Sequence, residues 1–357
     1  MTIEQLVGAA LMLLFLADIF LTVLYARAGT GLLAPWWDRA IWASVRIVAR
    51  PFGRRRGAVL SFAGPLVVVS LIGFWTLGLT IGAALIIQPA LGTAIRPSSG
   101  DTPTDFLTAL LVAGNSLSIV GAGSYAPHTG GTRLLYLLDS LVGTSVLSLV
   151  LSYLVQVYSA LRERNALALT IDLLSDGTGD AAAMLARLMP DGESDDTASE
   201  LGNLVRSLAA TKEAHHFYPL LFYFRFEEPL YAVSRFTFVL LDATTLIETS
   251  LDARRYGKLI RSAPVAALRR GAMLLLETLD RNFPGLDAEG TSDERARQRH
   301  AEALRTLARA GIDTDPHGGD RYVAARAEWQ PIVGRVASAL GYTLDDIDRR
   351  RAGETRL

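Results

Sequence analysis

Three long apolar runs in the first half of this 357-residue chain constrain its fold more than any other feature. They cover 6–25, 58–91 and 134–161, and only Asp18 and Asp139 carry a charge within them. A helix needs about 20 apolar residues to cross a hydrocarbon core of about 30 Å. The sequence therefore predicts three transmembrane helices. A signal peptide is the competing interpretation of the first run, but a long run that follows Met-Thr-Ile-Glu favours a retained helix.

The distribution of arginine predicts the orientation of these helices. The segment 27–57 contains seven arginines, and the chain after the third run begins Arg162-Glu163-Arg164, whereas 92–133 contains only two arginines. The positive-inside rule then places 27–57 and the C-terminal half in the cytoplasm, with the protein in the plasma (inner) membrane. Tryptophans interleaved with arginines favour a helix in the inner membrane interface over 35–56. A plain cytoplasmic connector is the alternative.

Composition excludes several classes of function. The chain has no cysteine, which excludes disulfides, a thiol nucleophile and thiolate metal sites. Its five histidines show no ligand spacing, and its net charge of −1 does not point to nucleic acid. No catalytic motif or nucleotide-binding loop occurs in the sequence. We therefore expect neither an enzyme nor a cofactor or metal site.

The segment between the second and third runs has an unusual pattern. Residues 106–120 are apolar but too few to cross a membrane, which predicts a re-entrant segment. Thr102 is the expected N-cap, with Pro103 at the first helical position and a helix that ends near 116–118. Gly121-Ala122-Gly123 follows. A half-length helix, a Gly-x-Gly strand and a return to the surface describe the pore helix and filter of tetrameric cation channels, whose backbone carbonyls replace an ion's hydration shell.

The stretch from Ser116 to Arg133 resembles the pore loop of potassium channels of the two-transmembrane type. The residues that match the family filter are Ile119, Val120, Gly121, Ala122, Gly123 and Ser124, with Pro127 after them. The whole layout is similar to bacterial potassium-channel-like proteins with an extra first helix and a helical C-terminal domain, in which a stretch like 216–221 recurs. The resemblance implies that residues from Ser118 to Ser124 line the filter and that Gly143 is a hinge in the inner helix.

The matching stretch departs from the family pattern at three positions. Ile119 replaces the filter threonine, Ala122 replaces the aromatic residue, and Ser124 replaces the aspartate. These changes remove a hydroxyl ligand, an aromatic cuff and an outer acidic ring. The sequence therefore predicts altered or relaxed selectivity for a permeant monovalent cation, with potassium as the ion that the resemblance implies.

Several polar and small residues in the apolar runs have two interpretations. Asp18 pairs with an arginine of 39–50 or bonds a polar group on the second run, or is a satisfied packing contact. Asp139 either bonds the pore helix or the back of the filter and stabilises it, or lies at the wet outer interface without a structural role. Glycines at 73, 78 and 82 predict close helix packing. The hydroxyl residues of the third run, at steps of four, either face the pore or bond their own helix; they are Ser140, Thr144, Ser148 and Ser152.

The second half of the chain reads as an all-α domain. The third helix is expected to continue to 175 and to end at the glycines of 176–180. Helical spacing of apolar residues then predicts helices over 198–225, 229–252, 264–282, 293–311 and, less strongly, 322–340. His215 and His216 are expected to be packing residues that precede an aromatic-rich helix.

Together these features predict an all-α membrane protein with three transmembrane helices, a re-entrant pore helix and filter loop, and an all-α cytoplasmic domain. The expected divisions are 1–57, 58–161 and 162–357. The expected function is that of a pore-forming subunit of a homotetrameric cation channel, with membrane lipid and permeant ions as its other partners. The alternative is a non-conducting membrane sensor or scaffold that keeps a relic pore fold. A transporter is the weaker third possibility, because it would normally need more spans.

Overall fold

A computed structural model describes residues 2–25, 31–97, 99–118, 121, 123–283 and 293–348. The chain divides into two compact units. The membrane unit comprises Met1–Ile47, Gly64–Tyr158 and His216–Leu220, and the helical unit comprises Val48–Ala63, Ser159–His215 and Leu221–Leu357. The predicted boundaries at 57 and 161 stay predictions.

The membrane unit is built from long apolar helices and one small hairpin. In the part of the chain that the structure describes, three stretches are long and apolar enough to cross a membrane, namely Ile3–Leu24, Arg56–Ala90 and Gly130–Leu174. They correspond to the three predicted runs. The elements up to and including the third stretch are α1 (Ile3–Ile19) with a π-helical end (Phe20–Leu24), α2 (Ala34–Ala49), α3 (Arg56–Ser61), α4 (Ala63–Ile87), β1 (Ile95–Pro97), α5 (Phe106–Leu117), β2 (Tyr125–Pro127) and α6 (Gly130–Leu174). Of these, α3 belongs to the helical unit, and α6 contributes to both units.

Small residues allow α1 and α4 to pack closely, as the sequence predicts. A Cβ atom on Gly8 would lie 2.5 Å from the carbonyl oxygen of Gly82, and one on Gly82 would lie 2.6 Å from Cγ of Met12. A Cβ atom on Gly78 would overlap the Phe15 ring. Gly73 differs, because nothing lies within 4 Å of its Cβ position. The Gly78-x-x-x-Gly82 pair is therefore a packing motif for the additional first helix.

Asp18 joins three helices of the membrane unit. Its carboxylate accepts hydrogen bonds from the Leu33 amide (2.7 Å), the Ala34 amide (3.3 Å) and the Trp75 indole (2.7 Å). The two amides belong to the start of α2, where an acid also interacts favourably with the helix dipole. Of the predicted alternatives, the structure selects the polar partner on the second run, Trp75, and adds two backbone donors. The side chain is fully buried and satisfied.

Besides α3 and the end of α6, the helical unit contains the short and medium helices that follow α6. They are α7 (Ala181–Leu188), α8 (Thr197–Phe217), α9 (Val233–Ser250), α10 (Ala253–Ile260), α11 (Ala263–Asn282), α12 (Asp293–Arg309), α13 (Gly319–Ala339) and α14 (Leu344–Asp348). The predicted end of α6 is confirmed, since its helix ends at Leu174 and Asp176 takes a positive φ. The predicted helix over 198–225 is too long, and the predicted aromatic-rich helix after His216 is wrong. Pro219 starts a 3₁₀ turn there instead, because proline disfavours helical angles in the residue before it.

Helix α9 forms the centre of the helical unit and is buried along almost its whole length. Its Asp242 accepts bonds from Arg299 Nε (3.0 Å), Arg326 Nη1 (2.9 Å) and the Tyr322 hydroxyl (2.5 Å). Asp348 of α14 pairs with the same two arginines. The buried charges therefore form a balanced network of two arginines and two aspartates, which ties α12, α13 and α14 to α9.

Buried arginines also fix the segment 221–225, which follows α8. Arg164, on the part of α6 within the helical unit, donates to the carbonyls of Leu221 (3.2 Å) and Phe224 (3.0 Å). Arg225 donates to the carbonyls of Leu340 (3.0 Å) and Gly57 (2.6 Å). Within this unit, the segment is therefore bonded to Arg164 near the end of α6 and to Gly57, which lies shortly before α4.

Candidate functional site

The short helix α5 is the core of the candidate site. Asp105 is its N-cap: the carboxylate accepts from the Thr108 amide (3.0 Å) and from the Thr108 hydroxyl (2.8 Å). The expected N-cap, Thr102, is therefore wrong by three residues, because the Asp-x-x-Thr pair satisfies the first free amides. Apolar residues of α5 pack with residues of α4 and with Tyr136 of α6 in one buried cluster. The helix is thus held between two of the long apolar helices.

The strands on either side of α5 bring the chain back to where it entered. Strands β1 and β2 pair antiparallel, with Ile95 opposite Pro127 and Pro97 opposite Tyr125. The His128 amide extends the pairing with a 2.8 Å bond to the Ala94 carbonyl. Because β1 precedes α5 and β2 follows the glycine loop, the intervening segment starts and ends at the same place. Its helix is too short to have crossed a membrane in between.

The glycine loop follows α5 directly. Of the residues predicted to line a filter, the structure describes Ser118, Gly121, Gly123 and Ser124, whereas Ile119, Val120 and Ala122 lie outside the described residues. Gly121 and Gly123 have φ angles of +83° and +60°. Side chains other than glycine rarely adopt such angles. The alternate glycines are therefore required by the backbone path of the loop.

The loop folds back on the last turn of α5. The Ser118 hydroxyl donates to the Asn115 carbonyl at 2.9 Å, and the Gly121 amide donates to the Ser118 carbonyl at 3.3 Å. A Cβ atom on Gly123 would lie 2.8 Å from Nδ2 of Asn115. Gly123 therefore combines a left-handed backbone with close contact to the helix end, and Asn115 is a site residue that the sequence analysis missed.

Asp139 of α6 holds the C-terminal turn of α5. Both Asp139 and Ser116 are 2% exposed, and the Ser116 hydroxyl donates to the Asp139 carboxylate at 2.9 Å. The same hydroxyl lies 3.0 Å from the Ala113 carbonyl. Of the two interpretations of Asp139, the structure selects the brace on the short helix. It is the polar contact by which α6 fixes the end of α5 next to the glycine loop.

Gly143 lies one helical turn after Asp139, on the same face of α6. A Cβ atom there would overlap the carbonyl group of Leu117, the last residue of α5. The two helix backbones are thus in close contact at Gly143. The hinge role that the family resemblance implies stays a prediction, but this contact gives an independent reason for glycine.

The hydroxyl stripe of α6 faces away from the buried side of that helix. Thr144, Ser148 and Ser152 are exposed, and Ser140 is half-buried. Only 11% of the most apolar stretch of α6 is buried within this chain. The exposed stripe leaves these hydroxyls available to water, lipid or a second subunit. Their role as pore-lining residues stays a prediction.

The acidic and histidine side chains of the described residues form no ligand set elsewhere. Within the described ranges, no group of three or more His, Asp or Glu side chains is arranged to hold a metal ion. His215 is buried among apolar groups, as predicted; burial, with a smaller effect of Arg164, lowers its pKa to about 3, so that it is neutral.

We expect the Ser116–Asp139 bond to couple α5 to α6 energetically. In a double-mutant cycle of Ser116→Ala and Asp139→Leu, the coupling should be about 0.5–2 kcal/mol, the range of hydrogen bonds between membrane helices. The measurement is the unfolding free energy of the full chain in mixed micelles. The matched pair Ser116→Ala and Ser148→Ala should be additive within about 0.5 kcal/mol. Additivity of the first pair would show that the bond does not brace α5.

The comparisons with known proteins agree with a membrane location. The chain is 22% identical over 172 residues to the Uncharacterized membrane protein YdjJ of Bacillus subtilis (strain 168), a match that covers 48% of this chain and 49% of that protein. The chain thus spans about half the length of the curated relative it matches. No protein-family model and no solved structure matches the chain. This relative and the three long apolar helices together indicate a membrane protein.

Proposed function

We propose that the chain is the pore-forming subunit of a tetrameric cation channel, similar to potassium channels but with altered or relaxed selectivity. One observation carries the proposal. A helix too short to span ends in a loop with two positive-φ glycines, and the paired strands return the chain to its starting point. This arrangement supports the proposal because an ion filter is a re-entrant loop whose backbone carbonyls bind the ion. The proposal requires ion permeation without any covalent chemistry or cofactor.

A filter needs several copies of the chain, and the family resemblance implies four. One chain supplies one filter strand, and a closed ring of carbonyls around an ion needs several copies. The uncovered face of α6 supports this assembly, because its exposed hydroxyls lie between exposed leucines such as Leu147 and Leu151. In the proposed tetramer the hydroxyls face the water-filled pore, and the leucines pack against neighbouring subunits or lipid.

The relaxed selectivity rests on the three departures from the family filter. Ile119 has no hydroxyl to bind a dehydrated cation, and Ala122 has no ring to hold the loop rigid. Ser124 leaves the outer mouth without its acidic ring. Smaller differences between potassium and sodium permeability are the expected consequence, while the carbonyl ring still favours cations over anions.

We further propose that the helical unit lies in the cytoplasm and gates the pore through α6. The arginine distribution supports this orientation in the plasma membrane. Helix α6 is continuous from Gly130 to Leu174 and contributes to both units. Arg164 and Arg225 bond the segment 221–225 to the end of α6 within the helical unit and to Gly57, at the start of the second span. A rearrangement of the helical unit would therefore act on the inner ends of both helices that flank the filter.

The test is the current through the purified full-length protein in planar bilayers under gradients of K⁺, Na⁺ and Cl⁻. We expect reversal potentials that follow the cations, with little difference between K⁺ and Na⁺. Gly121→Ala and Gly123→Ala should abolish the current, because each forces alanine into left-handed angles at a cost of about 1–2 kcal/mol within the filter. Gly73→Ala is the matched control and should conduct normally, since its Cβ position is open.

Two outcomes would overturn the proposal. A current that persists unchanged in both filter-glycine variants would place the conduction path elsewhere. The second outcome is the absence of current under any gradient or voltage, both from wild type and from Arg164→Gln and Arg225→Gln variants that release the helical unit. That result would favour a non-conducting membrane sensor or scaffold. Ile119, Ala122 and Ser124 replace the threonine, aromatic residue and aspartate of the family filter, and this observation favours that second function.

A further inference from the structure

The segment between α2 and the second span combines exposed charge with exposed apolar side chains. Its sequence is Arg50-Pro51-Phe52-Gly53-Arg54-Arg55-Arg56, and the apolar stretch that is long enough to span begins at its last residue. The segment forms a tight 3₁₀ turn in which Gly53 has a φ of +49°. Chain continuity therefore holds these residues at the border between hydrocarbon and water.

Three arginines of this segment have no anionic partner among the described residues. Arg50, Arg55 and Arg56 are exposed, and none of them forms an ion pair with a carboxylate of the described residues. Phe52 is 48% exposed, and Val48 just before the segment is 58% exposed. Unpaired guanidinium groups next to uncovered apolar side chains are typical of a surface that meets both headgroups and the upper part of acyl chains.

The segment is also fixed rather than loosely attached. Arg225 donates to the Gly57 carbonyl at 2.6 Å, and its guanidinium lies 4.3 Å from the centre of the Tyr342 ring. Burial, and to a smaller extent the neighbouring charge of Arg56, lowers the pKa of Arg225, while Tyr342, Asp346 and Glu227 oppose that shift. Arg56 therefore lies in a region to which Arg225 already contributes positive charge.

We propose that residues 48–56 form a binding site for the phosphate groups of anionic phospholipids in the leaflet that this segment faces. Arg50, Arg55 and Arg56 donate to the phosphate oxygens, because guanidinium groups match phosphate geometry in two-point hydrogen bonds. Phe52 and Val48 insert beside the first carbons of the acyl chains. The proposal depends on the membrane location and is independent of whether the protein conducts ions.

A lipid-binding site differs from the general preference of arginine for one side of the membrane. The positive-inside effect sets orientation during insertion and requires no lasting choice of headgroup. A binding site retains anionic lipid over neutral lipid even after the bilayer has been removed. Each arginine near an anionic surface contributes about a fivefold preference, so three together contribute about a hundredfold.

The experiment titrates the purified full-length protein in non-ionic detergent with phosphatidylglycerol or phosphatidylcholine and counts bound lipids by native mass spectrometry. Wild type should retain phosphatidylglycerol at a concentration about a hundredfold lower than a variant with Arg50→Gln, Arg55→Gln and Arg56→Gln. Raising the salt concentration should weaken retention by wild type and leave that variant almost unaffected. A variant with Arg254→Gln, Arg281→Gln and Arg305→Gln loses the same three charges from exposed positions and should match wild type.

Three results would overturn the proposal. The first is equal retention of phosphatidylglycerol by the segment variant and wild type. The second is equal retention of the two lipids by wild type, with no dependence on salt. The third is displacement of phosphatidylglycerol by inorganic phosphate or glycerol phosphate at equal concentration, which would identify a soluble phosphate compound as the ligand. The salt dependence uses only wild type, so the proposal remains testable even if the segment variant folds poorly.

Discussion

Asp242→Ala is expected to lower the free energy of unfolding of the helical unit by about 3–5 kcal/mol, the range found when one partner of a buried ion pair is removed. Asp242 is 1% exposed and contacts two arginines that are themselves buried. Without it, Arg299 and Arg326 would share only Asp348, which is partly exposed. Both guanidinium groups also pack on the Phe238 ring.

The same network predicts a pH dependence. Burial acts to raise the pKa of Asp242, but Arg299, Arg326 and the Tyr322 hydroxyl outweigh it and hold the pKa below its usual range. A carboxyl whose pKa is lower in the folded state stabilises the protein above its unfolded pKa, which is about 3.9. That stabilisation is lost as the pH falls through the folded-state pKa. Wild type should therefore lose stability below about pH 4 more steeply than Asp242→Ala does.

Chemical unfolding of the full chain, followed by fluorescence of Trp329 in the helical unit with the other tryptophans replaced, measures both effects. Asp320→Ala is the matched control: it removes an exposed aspartate whose pairing with Arg297 spans 3.8 Å and should change stability by at most about 0.5 kcal/mol. A loss below 1 kcal/mol in Asp242→Ala would show that the buried arginines relax into the solvent. An Asp242→Asn variant keeps an acceptor oxygen and should fall between the two.

Hydrophobic length and glycine spacing made the membrane helices and the short helix predictable. An uninterrupted apolar run has few structural uses apart from crossing a membrane, so the three spans agree with the runs in the sequence. The close packing at Gly78 and Gly82 follows from small residues four apart. The Gly121 and Gly123 pair was singled out as a filter-like Gly-x-Gly strand, and both residues have the positive φ that glycine permits.

Contacts between distant residues were not predictable in the same way. Arg164 entered the sequence analysis as one of the charges that set orientation, yet its side chain is buried and bonds two backbone carbonyls. Nothing in a single sequence distinguishes a buried arginine from an exposed one, because the difference lies in partners about 60 residues away. The Asp242 network was missed for the same reason. Asp139 was recognised as exceptional because a lone acid in an apolar run needs a partner, but Ser116 could not be named as that partner.

Two errors of the sequence-based prediction, an N-cap and a helix end, arise from neighbouring residues. Thr102 and Asp105 are both good N-cap residues, and the bond between Asp105 and Thr108 decides between them. The prediction of one long helix over 198–225 did not take account of Pro219, and α8 ends before it, at Phe217. The aromatic residues that follow were counted as helix periodicity, whereas they pack around 3₁₀ turns. Apolar spacing alone therefore overestimates helix length where a proline interrupts it.

Gly143→Ala is expected to destabilise the membrane unit by about 3 kcal/mol, at the upper end of the cost of overpacking. The added methyl group would overlap the Leu117 carbonyl, which is backbone and has no rotamer to change. Helix α5 or α6 would have to shift, and the Ser116–Asp139 bond one turn away would be stretched. In the proposed channel, this shift displaces the end of the pore helix next to the glycine loop and should abolish the current.

The unfolding free energy in mixed micelles and the current in planar bilayers measure the two consequences separately. Gly73→Ala again serves as the control, because it adds the same methyl group to the middle of a long apolar helix where nothing lies within 4 Å. Helix propensity alone should make that change neutral or stabilising by up to about 1 kcal/mol. If Gly143→Ala is as stable and as conductive as Gly73→Ala, α5 and α6 do not approach closely at this point. If Gly143→Ala is destabilised but still conducts, the two helices pack as described and the ion path does not run past the end of α5.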